Sequence, residues 1–235
     1  MGPGKPHQKS LFSASHPESP LSPRDSIPSL TRQLKQRLEL EKLQGRRHVR
    51  VATHEAELAQ IARRVAGCKR CGLWRTRTQP VPGQGSARAE LVLVGEAPGA
   101  EEDKQGLAFV GRAGQLLTKI LKAINLERED VFIGNILKCR PPANRSPLPD
   151  ESASCLPYIL AQLDVIKPRI ICALGAVAAN ALMGESGPIS RIRGKFVPYR
   201  GADFIATYHP AYLLRNPAEK KKGWEDMQKI RDRLA

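Results

Sequence analysis

Residues 89–117 read "AELVLVGEAPGAEEDKQGLAFVGRAGQLL": an apolar run, then a segment with five glycines and four acids that ends in a helical pattern. A short apolar run that passes directly into a glycine-rich turn and a helix is typical of a strand buried on both faces of a parallel sheet. Ligands bind such sheets at the carboxyl ends of the strands. The stretch therefore predicts both a fold class and the place of a binding loop.

Three further apolar runs have the same character: "VFIGN" (131–135), "RIICALG" (169–175) and "DFIATYH" (203–209). Helical patterns lie before and between the runs, at "EAELAQIARRVAG" (55–67), "AGQLLTKILKAIN" (113–125), "DESASCLPYILAQLDVI" (150–166) and "AVAANAL" (176–182). Strands that alternate with helices in this way predict an α/β domain, in which helices cover both faces of a parallel sheet. The motifs "GEAPG", "NILKCRPP" and "HPAYLL" all follow strand ends.

The chain carries a large positive surplus. Its 38 Lys and Arg against 23 Asp and Glu give a net charge of +15, which favours nucleic acid as a partner. No apolar run approaches the roughly 20 residues of a membrane-spanning helix, so we expect no membrane partner. Residues 1–50 are rich in Ser, Pro and basic residues and predict a disordered basic tail, followed by one globular domain over 54–235.

The chain has five cysteines and lacks the apolar core of a secretory signal at its start, so we expect a reducing compartment. The pair in "CKRC", Cys68 and Cys71, joins Cys139 and Cys155 to make a set of four thiolates. That number fits either a zinc ion or an iron–sulfur cluster, and the spacing does not choose between them. Cys172 lies in an apolar run and is expected in the core.

Four blocks of the sequence resemble the family 4 uracil-DNA glycosylases, which carry a [4Fe-4S] cluster. The blocks are "GEAPGAEEDKQGLAFVGRAGQLL", "NILKCRPPANRSPLPDE", "ISRIRGKF" and "TYHPAYLLRNP", and the likeness covers residues 54–235. The resemblance implies a three-layer α/β/α domain around a four-stranded parallel sheet, and an enzyme that removes uracil from DNA. It also implies that the cluster is held by Cys68, Cys71, Cys139 and Cys155.

The resemblance gives roles to four residues around the base. Phe109 would stack on a uracil that has been rotated out of the DNA, and His209 would donate a hydrogen bond to O2 of the departing uracil anion. Asn135 carries both a donor and an acceptor, which suit O4 and N3–H of uracil. Glu102 would fill the space beside C5 and exclude the methyl group of thymine.

The "GEAPG" motif would surround the sugar and the attacking water. Ala97 has no side chain that could activate water, so Glu96 either orients the water or holds the loop by hydrogen bonding; the sequence leaves both open. Other residues would prop open the base stack or bind phosphates, unless they belong to solvated loops. They are Tyr212, Leu213, Leu214 and Arg215 in "AYLLRNP", and Arg191, Arg193 and Lys195 in "SRIRGKF".

The sequence thus predicts a monofunctional glycosylase that releases uracil from single- or double-stranded DNA and leaves an abasic site. The alternative, from another class, is a non-catalytic iron–sulfur module that binds nucleic acid. The presence of Glu102, Phe109, Asn135 and His209 favours the enzyme. We expect a monomer in the cytoplasm, associated with the nucleoid.

Overall fold

The computed structural model describes residue 1, the pairs 31–32, 35–36 and 39–40, and residues 53–184 and 187–235. The chain divides into two units, 1–51 and 52–235. The described pairs in the first unit are helical. The rest of the predicted tail lies outside the described residues, so its disorder stays a prediction. Among the described residues, no helix combines the length and the apolar character needed to cross a bilayer.

The second unit is built on one six-stranded sheet. Its strands are β1 Gln84–Gly85, β2 Leu91–Gly95, β3 Phe132–Asn135, β4 Ile170–Leu174, β5 Val197–Tyr199 and β6 Ala202–Thr207. They lie in the order β1-β3-β2-β4-β6-β5; the four central strands are parallel and the two edge strands antiparallel. The prediction of a four-stranded parallel sheet is right for the centre and wrong for the edges, because strands of two or three residues are too short to show a periodic pattern.

Eight α-helices surround the sheet in the described part of this unit. They are α1 His54–Ala66, α2 Ala100–Gln105, α3 Arg112–Ala123, α4 Pro149–Ile166, α5 Ala176–Met183, α6 Ile189–Ile192, α7 Pro210–Arg215 and α8 Lys220–Leu234. The four helices expected from the sequence are α1, α3, α4 and α5. The sequence patterns did not predict α8, because charged residues hide its stripe of apolar residues at spacings of three and four, Trp224, Met227, Ile230 and Leu234.

Alternate residues of the central strands supply a core on each face of the sheet. Leu91 and Leu93 of β2 pack in the cluster that includes residues of α3 and α8. Val92 and Val94 point the other way and pack in the cluster that includes residues of α4 and α5. Successive side chains of a strand point to opposite faces, so an unbroken apolar run is what a covered sheet needs. The expected three-layer α/β/α arrangement is confirmed.

The sheet brings distant parts of the sequence to one edge. β2 and β3 pair in parallel register, and Gly95 lies opposite Asn135 at their carboxyl ends. β6 ends at Thr207, two residues before His209. The loops that follow these strands therefore meet at the carboxyl edge, where parallel sheets bind ligands.

Candidate active site

A pocket of about 420 Å³ opens at the carboxyl edge of the sheet. The loops after β2, β3 and β6 form its walls, and helices α2, α3 and α7 also contribute. All six residues predicted to bind uracil line it: Glu96, Ala97, Glu102, Phe109, Asn135 and His209. The structure therefore brings together residues that are up to 113 positions apart in the sequence.

Asn135 supplies a polar side chain that is 1% exposed. Its Oδ1 atom is buried and has no hydrogen-bond partner among the described residues. An unpaired buried polar atom costs about 1–3 kcal/mol, so such atoms are rare unless a ligand satisfies them. The pocket thus contains a buried acceptor, Oδ1 of Asn135, to which a bound ligand could donate a hydrogen bond.

Phe109 forms the aromatic wall of the pocket and lies in the loop between α2 and α3. Its backbone is left-handed, with φ of 53°, a conformation that a non-glycine residue rarely adopts. Gly114, in the first turn of α3, makes the loop possible, because a Cβ there would lie 1.8 Å from the carbonyl oxygen of Phe109. The ring centroids of Phe109 and His209 are 5.6 Å apart, with planes tilted by 32°.

Glu102 holds the Phe109 loop in place. Its Oε1 atom accepts hydrogen bonds from the backbone N–H groups of Val110 and Gly111, both at 2.9 Å, and its Oε2 atom accepts from Gly99 at 3.1 Å. Both carboxylate oxygens are therefore committed to the backbone on either side of the aromatic wall. Glu102 lines the pocket as predicted, and in addition it fixes the shape of the pocket.

His209 caps the N-terminus of α7. Pro210 has no N–H, so the first N–H of the helix belongs to Ala211, and it donates to Nδ1 of His209 at 3.1 Å. Burial, reinforced by Arg215 and opposed by Glu102, lowers the pKa of His209 to about 4. The imidazole is therefore neutral at physiological pH. Because Nδ1 accepts, its one proton lies on Nε2, so the ring is a neutral donor.

Glu96 follows β2 and lines the pocket. Its carboxylate has no hydrogen bond within the part of the chain that the structure describes. Burial raises the pKa of Glu96 above the usual value for a glutamate. A carboxylate that is unpaired and partly desolvated is a better base than one in water. The adjacent Ala97 presents only a methyl group.

The close approach of β2 to the pocket residues can be tested with Gly95→Ala. A Cβ at Gly95 would lie 2.4 Å from Oδ1 of Asn135 and 2.6 Å from Cζ of Phe109. Both side chains must move, and we expect the single-turnover rate of base release to fall by about 10²-fold, the usual effect of a displacement near 1 Å. Gly72→Ala, with no atom within 4 Å of the added Cβ, is the control. A wild-type rate for Gly95→Ala would contradict this geometry.

The four predicted cysteine ligands surround one small cavity between α1, α4 and the segment after β3. Cys139 and Cys155 are each 7% exposed, whereas Cys68 and Cys71 are half-buried. Among the described residues, no group of three or more His, Cys, Asp and Glu side chains is arranged as the site of a metal ion. Cys172 is fully buried in β4, as expected.

Two donors point at the buried thiols. The backbone N–H of Lys138 donates to Sγ of Cys155 at 3.2 Å, and Nη1 of Arg77 donates to Sγ of Cys139 at 3.1 Å. The side chain of Lys138 is 1% exposed and donates from Nζ to Gln162 at 2.8 Å. Burial raises the pKa of Cys155 to about 11, so this thiol would stay protonated without a metal.

The comparisons with known proteins give the family of the chain. The sequence model of the Uracil DNA glycosylase superfamily matches residues 82–232. Type-4 uracil-DNA glycosylases of Sulfurisphaera tokodaii and Archaeoglobus fulgidus are 46% and 44% identical, in each case over 74% of this chain and over 84% and 91% of the relative. The type-4 enzyme of Thermotoga maritima is 43% identical, over 76% of this chain and 95% of its own. The chain belongs to the type-4 uracil-DNA glycosylases.

The glycosylase places the predicted DNA-binding residues of "AYLLRNP" in different surroundings. Arg215 is exposed and lines the pocket. Tyr212 is 36% exposed and stacks on Tyr208, with ring centroids 5.0 Å apart. Leu214 is half-buried, but Leu213 is only 4% exposed because it packs against α8. The prediction that Leu213 enters DNA is corrected: it belongs to the core.

The basic residues of "SRIRGKF" also differ in their surroundings: two are exposed and one is paired with a carboxylate. Arg191 and Lys195 are exposed and make no ion pair within the described residues. Arg193 instead forms two hydrogen bonds with Asp226 of α8, at 2.9 and 2.8 Å. Thr207, the last residue of β6, donates to the same carboxylate at 2.7 Å. Arg193 is thus held at the end of the strand that leads to His209, and its contact with DNA stays a prediction.

Sequence reasoning missed two residues at the mouth of the glycosylase pocket. Asn144, whose backbone is left-handed with φ of 54°, accepts a hydrogen bond from Arg140 at 2.7 Å. Arg145 binds both oxygens of Glu151, at 2.9 and 2.7 Å. Both residues line the pocket. The sequence signal that could have identified them is the polar pair Asn144 and Arg145 in "PPANR", just after the strand-end motif "NILKCRPP".

Proposed function

We propose that this uracil-DNA glycosylase takes a uridine that has been rotated out of DNA into its pocket and hydrolyses the bond between N1 and C1′. The reaction belongs to DNA repair: it releases uracil and leaves an abasic site. One observation carries the proposal, namely the buried Oδ1 atom of Asn135, which has no hydrogen-bond partner among the described residues and lies in a pocket with the ring of Phe109 and the neutral imidazole of His209.

Recognition of the base follows from the chemistry of this amide. Oδ1 of Asn135 would accept from N3–H of uracil, and its Nδ2 would donate to O4, while Phe109 covers one face of the ring. Cytosine presents the opposite donor and acceptor at these positions. A site built around such hydrogen bonds discriminates by about 10⁴ or more, because the wrong base leaves buried groups unpaired. Glu102 would close the space beside C5 against the methyl group of thymine.

The chemical step breaks the C1′–N1 bond, and the electron pair leaves with uracil as charge on O2 and N1. Nε2–H of His209 would donate a hydrogen bond to O2 as this charge develops. One donor placed at a developing oxyanion is worth about 3 kcal/mol. A neutral imidazole keeps its proton during bond breaking, so the ring stabilises the anion without having to transfer the proton.

The sugar is left as an oxocarbenium-like cation, to which water adds at C1′. The carboxylate of Glu96 would hold this water and accept its proton, while uracil takes a proton at N1 from solvent. The absence of a protein partner for the Glu96 carboxylate in the described residues leaves both of its oxygens available for this task. Ala97 would contact the sugar.

The remaining predicted contacts are with DNA on either side of the flipped nucleotide. Arg215, Arg191 and Lys195 would bind phosphates, and Tyr212 with Leu214 would fill the gap left in the base stack. We propose that the enzyme acts as a monomer on single- or double-stranded DNA containing uracil. We place it in the cytoplasm, at the nucleoid.

A uracil-containing oligonucleotide tests the function. After incubation with the enzyme, hot alkali should cut the strand at the position of the uracil, because an abasic site is labile to base. Matched oligonucleotides with cytosine or thymine at that position should stay intact. If alkali does not cut the uracil-containing strand, the result would favour the alternative, a non-catalytic iron–sulfur module that binds nucleic acid.

We further propose that Cys68, Cys71, Cys139 and Cys155 hold a [4Fe-4S] cluster. The donor set fits: four thiols surround one cavity, and two of them already receive N–H donors of the kind that stabilise cluster sulfurs. The buried ammonium of Lys138 offsets negative charge in the same cavity. When bound, the cluster would supply cross-links between the segment after α1, α4 and the segment that follows Asn135.

Cys139→Ala should lose iron, visible absorbance and stability. Cys139 lies four residues after Asn135, so the loss of this ligand should also loosen the pocket without removing any of its side chains. The control is Cys172→Ala, which removes a buried thiol from the core and should keep the full iron content. Iron content and thermal unfolding are the measurements. An unchanged iron content in Cys139→Ala would overturn the ligand assignment.

A further inference from the structure

One stretch of the chain is basic and free of acids. Residues 58–89 contain seven Lys and Arg and no Asp or Glu. The chain as a whole has 23 acids in 235 residues, so a run of this length would contain about three at the average frequency. The basic residues are Arg63, Arg64, Lys69, Arg70, Arg75, Arg77 and Arg88. The run includes Cys68 and Cys71, and its Arg70 and Arg77 also line the cysteine cavity.

The structure leaves most of these charges unpaired. Of the seven, only Arg88 has a carboxylate within 4.0 Å among the described residues. Arg77 is directed inward, to Cys139 and two backbone carbonyls. The other five are exposed: Arg63, Arg64, Lys69, Arg70 and Arg75. These five residues are called the basic face below. Exposed cations usually occur among anions, so an unneutralised group is suited to a polyanion.

Two aromatic rings order the basic face. Lys69 and Arg75 lie over the ring of Trp74, at 5.0 and 5.6 Å from its centroid. Arg70 and Arg64 lie near the ring of Tyr158, at 5.3 and 6.0 Å. Cation–π contacts restrict these long side chains before any partner binds. A set of cations ordered in this way loses less side-chain entropy on binding than freely moving lysines and arginines would.

Arg70 of the basic face lines the cysteine cavity, and one segment of chain links this cavity to the uracil pocket. Lys138 and Cys139 line the cysteine cavity, and their neighbours in the same segment, Asn135, Pro141 and Arg145, line the pocket. Asn135 and Cys139 are four Cα–Cα steps apart, with three residues between them, and this length of chain spans at most about 14 Å. At about 3.4 Å per nucleotide along one strand, this corresponds to some four nucleotides of DNA.

We propose that the basic face is a second DNA-binding surface, which holds phosphates of the strand a few nucleotides away from the flipped uridine. This proposal rests on the proposed function, because the pocket determines where the DNA binds. The basic face reads no bases and takes no part in the chemistry. It lengthens the footprint of the enzyme and ties the cysteine cavity to DNA binding.

The test replaces Lys69, Arg70 and Arg75 by glutamine together. Binding is measured with the full chain on a uracil-free strand of about 25 nucleotides, so that the result does not depend on catalysis. We expect affinity to fall about tenfold or more near 0.1 M salt, and the slope of log Kd against log salt to decrease by about two. The single-turnover rate on uracil DNA at saturating enzyme should be unchanged.

The control replaces Lys119, Lys122 and Lys167 by glutamine, which changes the net charge by the same amount. α3 starts at the pocket and α4 leads into β4, so these exposed lysines lie towards the opposite edge of the sheet. Iron content must match the wild type in both variants; should the first lose iron, Arg63→Gln with Arg64→Gln replaces it. Equal affinity and salt slope for wild type and variant, or equal losses in the control, would overturn the proposal. Failure of the wild type to release uracil would overturn the proposed function instead.

Discussion

His209→Ala is expected to lower the single-turnover rate of uracil release by about 10²–10³-fold while DNA affinity hardly changes. The imidazole lies beside Phe109 as a neutral donor, and its Nε2–H would be used as charge develops on O2. An interaction of this kind is made chiefly in the transition state, so its loss appears in the rate. The measurements are a single-turnover time course at saturating enzyme and a binding titration with a non-hydrolysable uridine analogue.

His209 also caps α7, so a control must separate the two roles. His209→Asn keeps a side-chain acceptor for the N–H of Ala211 but is too short to place a donor at the Nε2 position. We expect stability near that of the wild type and a rate as low as that of His209→Ala. If His209→Asn restores the wild-type rate, the imidazole acts only as a helix cap.

The pH profile gives a second readout of the same residue. The pKa of His209 is lowered to about 4, so the ring stays neutral as pH falls from about 8 to 6, where an ordinary histidine would take up a proton. The rate should be flat over this range. Burial raises the pKa of Glu96, so protonation of Glu96 should set the acid limb, and Glu96→Gln should remove that limb together with much of the rate. A step near pH 6.5 that persists in Glu96→Gln would contradict the neutral imidazole.

Asn135→Asp is expected to reduce uracil excision by about 10³-fold. The introduced carboxylate has no N–H to offer to O4 of uracil, and when ionised it repels that oxygen. It could accept from the amino group of cytosine, so slow release of cytosine is the accompanying gain. Burial raises the pKa of a carboxyl at this position, so the gain should increase as pH rises. Excision is measured on one strand carrying uracil or cytosine at the same place.

Asn125→Asp is the matched control. It makes the same chemical change at an exposed residue with φ of 61°, which tolerates both side chains, away from the pocket lining. Its uracil excision should equal that of the wild type. If Asn135→Asp releases uracil at the wild-type rate, Asn135 does not recognise the base, and the assignment of this pocket as the uracil-binding site is weakened.

The predictions from sequence succeeded where a local pattern carries the information. The four central strands were visible as apolar runs because a strand covered on both faces buries nearly all of its residues; in β6 only Ala202 and Asp203 are partly exposed. The helices α1, α3, α4 and α5 were visible from their apolar spacing. The edge strands β1 and β5 were not, since they are short and their pairing depends on a neighbour from a distant part of the chain.

The motifs alone determined the family, the candidate base-contacting residues and the set of four cysteines. Only the tertiary structure decided which side chains are free to act. Arg191 and Arg193 look alike in the sequence, yet Arg193 is bound to Asp226, 33 residues away. Leu213 and Leu214 are adjacent, yet helix α8 buries the first. Whether a side chain can contact a ligand depends on partners that folding brings from elsewhere in the chain, and these partners cannot be inferred from the local spacing of residues.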